Sequence, residues 1–209
     1  YLISSKHLAI YNQQNGQVQY EEIPLDYSRL NCILSLGKDT IGIGTNNGII
    51  LFFAKSKQFR NVEMHFNVMR LFEDSHNELW LFSKEQRGIV RYDPLTNEQQ
   101  HYETPTQNMP KAELRSRDVI FEDSQGTLWV VPHLGCLSYY DREDKELKPY
   151  YTDYSKPESK FTPVILNFYV DNQKNFWYAN NFWMDKISFF PNASQLTTFD
   201  SGHETRAIM

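Results

Sequence analysis

Residues 72–82 read FEDSHNELWLF and residues 121–131 read FEDSQGTLWVV: an aromatic, an acidic pair, a polar turn and a tryptophan, in the same order. A chain that restates itself at a fixed period folds into stacked copies of one small unit, which restricts its architecture more than composition can. Trp80, Trp129 and Trp177 mark three copies; Ile41 is expected in the same slot one copy earlier, and Tyr1 one before that. The interval is about 40 to 50 residues, the period of propeller blades.

Each copy reads as four short strands. A first apolar strand (CILSL at 32–36, VMRLF at 68–72, DVIFE at 118–122, LNFYV at 166–170) leads through a polar turn to the anchor strand. A third strand ends on an aromatic, namely Tyr11, Phe52, Tyr92, Tyr140 and Phe189, and a fourth returns after a hairpin turn. Gly126 suits a left-handed turn position, and Asn77 and Asn175 are expected in comparable places, since Asn tolerates positive φ. Asp74, Asp123 and Asp171 are placed to accept hydrogen bonds from turn amides. Segments such as LWLF, LWVV and GIILFF are apolar in runs rather than in alternation, so both faces of each sheet should be covered. Blades stacked face to face around an axis meet that demand. The fold expected is all-β, a β-propeller of about five four-stranded blades at residues 1–26 (partial), 27–60, 61–105, 112–152 and 161–200. Residues 204–209 would start a further blade or close the first. The chain reads as a segment of a larger propeller, with a closed five-bladed ring as the alternative.

Composition narrows the function classes. The formal charge is -5 and the basic residues are scattered, which speaks against a nucleic-acid face. No apolar run reaches the length of a membrane span. Fourteen Phe, thirteen Tyr and four Trp favour strands, and the two cysteines, Cys32 and Cys136, cannot form a framework or a metal site alone.

The segments VIFEDSQGTLWVVPHLGCLSYYD (119–141) and RLFEDSHNELWLFSKEQRGIVRYD (70–93) resemble the two-component-regulator propeller repeat; TIGIGTNNGIILFF (40–53) keeps its Gly-Thr after the anchor, and the last copy is looser. The resemblance implies the periplasmic sensor region of a hybrid two-component system. There, propellers precede a membrane helix, a histidine kinase and a response regulator, and sense oligosaccharides, usually as a dimer. Expected partners are therefore an oligosaccharide and a second copy, with no cofactor and no nucleic acid in this segment, and with the membrane met only through other parts of a longer protein.

No H-E-x-x-H, G-x-S-x-G or phosphate-loop pattern occurs. Adjacent strand carboxylates such as Glu73 and Asp74 point to opposite faces, so they make poor acid–base partners. No catalytic or metal residues are assigned. Ligands are expected at the loops joining second to third strands (45–48, 83–88, 131–135, 180–184) and between blades (60–67, 103–117, 152–163), where insertions gather. Trp183 with Asn180 and Asn181 would form a sugar platform, and Trp183 fits a core position equally. Lys84, Arg87, His133 and Arg117 could reach an acidic sugar or sulfate, or be solvated loop residues. A scaffold for dimerisation and a propeller lyase are the competing readings.

Overall fold

The computed structural model describes residues 1–4, 6–24, 29–37, 39–83, 88–103, 119–131, 137–149, 167–173, 175–179, 183–190 and 193–200. Every regular element among them is a strand, and the strands form antiparallel sheets in which sequence neighbours pair. The first sheet has three: β1 (Leu2–Ile3), β2 (His7–Tyr11) and β3 (Val18–Glu22). Four-stranded sheets follow. The second holds β4 (Leu30–Leu36), β5 (Thr40–Thr45), β6 (Gly48–Phe53) and β7 (Gln58–Glu63). The third holds β8 (Val68–Glu73), β9 (Leu79–Ser83), β10 (Ile89–Tyr92) and β11 (Gln99–Tyr102). The fourth holds β12 (Val119–Glu122), β13 (Leu128–Val131), β14 (Ser138–Asp141) and β15 (Glu146–Pro149). The fifth holds β16 (Asn167–Val170), β17 (Phe176–Ala179), β18 (Trp183–Phe190) and β19 (Ala193–Asp200). These are propeller blades: short meanders with nearest-neighbour pairing and tight turns.

The chain divides into two compact units, residues 1–86 with 90–100, and residues 87–89 with 101–209. In the first unit, Leu8 and Ile23 pack on Ile41, Ile43, Ile50 and Phe52 of the second sheet. The opposite face of that sheet, with Leu36, Ile49 and Leu51, packs on Leu71, Leu79, Leu81, Val90 and Tyr92 of the third. The apolar runs of β5, β6 and β9 are buried because both of their faces are covered. Gly44 sets how closely the second and third sheets approach. A Cβ there would stand 2.5 Å from Cys32 Sγ and 2.8 Å from the Val68 carbonyl oxygen. In the second unit Phe121, Trp129 and Val131 pack on Phe176 and Tyr178 of the fifth sheet, and the Phe121 and Phe176 rings stack at 4.5 Å. Trp129 thus lies between two sheets, as its period demands.

In the third, fourth and fifth sheets the acidic residue and the tryptophan are one device. Asp74 Oδ1 accepts the His76 and Glu78 amides, both at 2.9 Å, while its Oδ2 accepts Trp80 Nε1–H at 3.0 Å. Asp123 does the same with Gln125 (2.8 Å), Thr127 (3.0 Å) and Trp129 Nε1 (2.8 Å). Asp171 repeats it with Gln173 and Asn175 (2.9 Å each) and Trp177 Nε1 (3.0 Å). One carboxylate therefore closes the turn and fixes the indole six residues on. Asp74 and Asp123 are buried, and a buried carboxylate is tolerable when it is saturated with donors in this way.

Four expectations are corrected. Ile41 does not share the slot of Trp80. It packs toward the preceding sheet, where Leu79 and Leu81 sit in theirs, and Trp80 between those two points to the other face. The two sheets share one register, with Leu30 opposite Thr45 as Val68 is opposite Ser83, so the counterpart of Trp80 is Gly42 and that of Ile41 is Leu79, one residue away and on the other face. Asn77 (φ 60°) and Gly126 (φ 81°) hold the left-handed turn position, but Asn175 does not. It aligns with Glu78 and Thr127, and its side-chain amide instead donates to Asp171 Oδ2 at 2.8 Å. The stretch 60–67 is strand as far as Glu63, so β7 runs past the blade boundary expected at 60. The loop of 180–184 ends earlier than expected, because Trp183 and Met184 already pair with Asp200 and Phe199 in β18 and β19.

Candidate ligand face

At one end of the second and third sheets, β5 turns into β6 and the chain crosses from β7 to β8. The first turn is built on Thr45, whose buried hydroxyl donates to the Gly48 carbonyl (3.0 Å) and accepts the Asn47 amide (3.1 Å). Gly48 is required there: its φ is 113°, and a Cβ would collide with the Val62 carbonyl. The Asn46 amide donates to the Arg29 carbonyl at 3.2 Å, which fixes the turn against the approach to β4. The crossing, residues 64–67, is pinned by buried Met64 and Phe66. Between them His65 is exposed and held at φ 55°, a conformation a non-glycine residue keeps only when its surroundings impose it.

Side-chain amides collect on this rim. Asn31 Nδ2 donates to Asn67 Oδ1 at 2.6 Å and to the Val68 carbonyl at 3.0 Å. Asn31 Oδ1 is buried without a hydrogen-bond partner among the described residues. Asn46 is exposed and Asn47 half-buried beside them. An amide carries two donors and an acceptor. Asn31 spends both donors on Asn67 and Val68 and so positions Asn67, while Asn46 and Asn47 present uncharged amides to a hydroxyl-bearing ligand. The nearby Cys32 thiol is pushed up to about 11 by burial, so it is no nucleophile at neutral pH. Among the described residues no group of three or more His, Cys, Asp or Glu could hold a metal ion.

Of the site residues expected from sequence, Lys84, Arg87, Arg117, His133, Asn180 and Asn181 lie outside the described residues, as does the side chain of Trp183. The backbone of Trp183 opens β18 opposite Asp200. Sequence reasoning missed Asn31 and Asn67. No shared strand position announces the pair: Asn31 is the bulge residue of β4, between Leu30 opposite Thr45 and Cys32 opposite Gly44, whereas Asn67 precedes β8.

No family model matches the chain, and no curated protein matches it in sequence. Solved structures do. Virginiamycin B lyase from Staphylococcus aureus is similar with a TM-score of 0.67 at 14% identity, over 94% of this chain and 63% of that one. The extracellular domain assigned to a hybrid two component system of B. thetaiotaomicron is similar with a TM-score of 0.60 at 16% identity, over 96% of this chain and 27% of that one. An auxiliary nutrient binding protein from Bacteroides ovatus is similar with a TM-score of 0.56 at 14% identity, over 95% of this chain and 53% of that one. The chain thus spans less than two thirds of the length of these structures. At such identities the likeness establishes the fold, an all-β propeller. Among the described residues no helix is long and apolar enough to cross a membrane.

Proposed function

We propose that this chain is the ligand-recognising propeller portion of an extracytoplasmic sensor of the hybrid two-component kind, built of two-component-regulator repeats. It binds an oligosaccharide without cleaving it and works as a homodimer. The observation that carries this reading is the Asn31–Asn67 amide rim, uncharged and preorganised, at the end of the sheets where propeller loops gather. The likeness to extracellular domains of sensors and to a nutrient-binding protein supports the same reading. Titration calorimetry of the chain against neutral and sulfated oligosaccharides tests it. At least one should bind, and Asn31→Ala should weaken that binding tenfold or more. Binding to none, or binding indifferent to Asn31, refutes the reading and favours a scaffold.

A second reading is favoured by the lyase likeness. Chromatography of quinupristin after incubation with the chain separates the two: an altered product would make the chain an enzyme and displace the sensor.

A further inference from the structure

At the opposite end of the second and third sheets, away from the amide rim, lies an open groove of about 320 Å³, at the lower bound for small-ligand pockets. Its floor is Leu36, Leu51 and Leu79, members of the core cluster that joins the two sheets. Its walls are polar and of both signs. Arg60 reaches across from β7, its guanidinium 5.8 Å from the centroid of the Phe53 ring and its Nη2 donating to the Pro94 carbonyl at 2.8 Å. Glu73 Oε2 accepts the Gly37 amide at 2.9 Å, and its Oε1 has no hydrogen bond among the described residues. Asp93 Oδ1 accepts the Leu95 and Thr96 amides at 2.8 and 3.4 Å, and the Thr96 side chain also bonds this carboxylate. Leu95, 93% exposed, forms the lip.

We propose that this groove is a second binding site, taking one neutral sugar residue. The ligand class rests on the glycan reading above; the place does not depend on the amide rim. Three features select the class. The polar groups are already fixed, each carboxylate by a backbone amide and the guanidinium by a ring and a carbonyl, so little side-chain ordering is left for binding. The open Glu73 oxygen is an acceptor for a hydroxyl donor, with the Asp93 carboxylate beside it, and charge-assisted bonds of that kind are the strong ones. One cation and two carboxylates in one small groove leave an ion of either sign facing a like charge, whereas vicinal hydroxyls donate and accept alike. The leucine floor then receives the C–H face of the ring, which no hydroxyl satisfies.

Nitrogen–proton correlation NMR of the intact chain tests this, titrated with D-glucose, D-galactose, D-mannose and D-xylose, and with D-glucosamine and D-glucuronate as charged controls. At least one neutral sugar should shift the backbone amides of Phe53, Leu79 and Leu95 at millimolar concentration. Glu73→Gln and Leu95→Ala should each weaken that response fivefold or more and leave shifts at Asn31 and Asn67 unchanged; Leu95 touches no core, so its variant folds. Shifts at the rim alone would overturn the groove and spare the proposed function. Silence at both ends would overturn both. A groove that answers only to glucosamine or only to glucuronate would overturn the neutral ligand.

Discussion

The carboxylate–indole bond of the three tryptophan-bearing repeats can be weighed by a double-mutant cycle at Asp123 and Trp129. Asp123 is buried, accepts two turn amides on Oδ1, and accepts Trp129 Nε1–H on Oδ2 at 2.8 Å. Trp129→Phe removes the donor and keeps an aromatic ring between Phe121 and Tyr139. A hydrogen bond to a charged group contributes about 1.5–3 kcal/mol, and the smaller ring adds a cavity term, so the variant should lose roughly 2–4 kcal/mol. Asp123→Asn keeps one oxygen for the turn amides but turns an NH2 group toward the indole N–H, donor against donor; a loss of about 2–3 kcal/mol is expected. Because both variants break the same bond, the double variant should be about 1–2 kcal/mol more stable than the sum of the two losses implies. Urea unfolding followed by far-ultraviolet circular dichroism, which does not depend on the tryptophan, measures all four corners of the cycle. Additivity within about 0.5 kcal/mol would refute the claim that turn and indole are one unit.

The remaining predictions concern the same sheets. Burial alone would raise the Asp171 carboxyl, but hydrogen bonds from Trp177, Asn175 and Gln173 outweigh it and hold it at about 2. Its folded value lies below the unfolded one, so its stabilisation is present above about pH 4 and lost as pH falls toward 2. Acid unfolding of the wild type should therefore be steeper between those values than that of Asp171→Asn, measured by hydrogen exchange in β16 and β17; equal slopes would contradict this. Gly44→Ala should cost about 1–3 kcal/mol through overpacking against Cys32 and Val68, whereas Gly42→Ala, which meets only leucine side chains at 3.0 and 3.1 Å, should cost less. Their urea midpoints decide the order. The Cys32 thiol should resist iodoacetamide at pH 8 in the folded protein and react after denaturation, read by mass of the peptide carrying it.

Why the blades were legible and the ligand face was not has a physical cause. A blade is specified locally. Asp123 and Trp129 lie six residues apart and close their own turn, so the repeat displays the whole device in one short window. Apolar runs such as LWLF announce that both faces are covered without naming what covers them. Where the local rule failed, at Ile41 and Asn175, the residue stands one place from the counterpart that the repeat suggests, in a turn of unchanged length, and one place exchanges the faces of a strand. The amide rim obeys no local rule. Asn31 and Asn67 stand 36 residues apart and meet only because β4 and β8, the first strands of adjacent sheets, pack together. The groove at the other end is assembled the same way, with Arg60 of one sheet reaching the Pro94 carbonyl of the next. Function in a stacked-repeat fold is therefore written at the blade period rather than within the blade. The residues to compare are those that meet across adjacent first strands, such as Asn31 and Asn67, rather than those at one repeated strand position. If Asn67→Ala weakens oligosaccharide binding as Asn31→Ala does while Trp177→Phe lowers only stability, measured by calorimetry and urea unfolding side by side, recognition and folding are separate readings of one repeat; a loss of binding that tracked stability in all three variants would join them again.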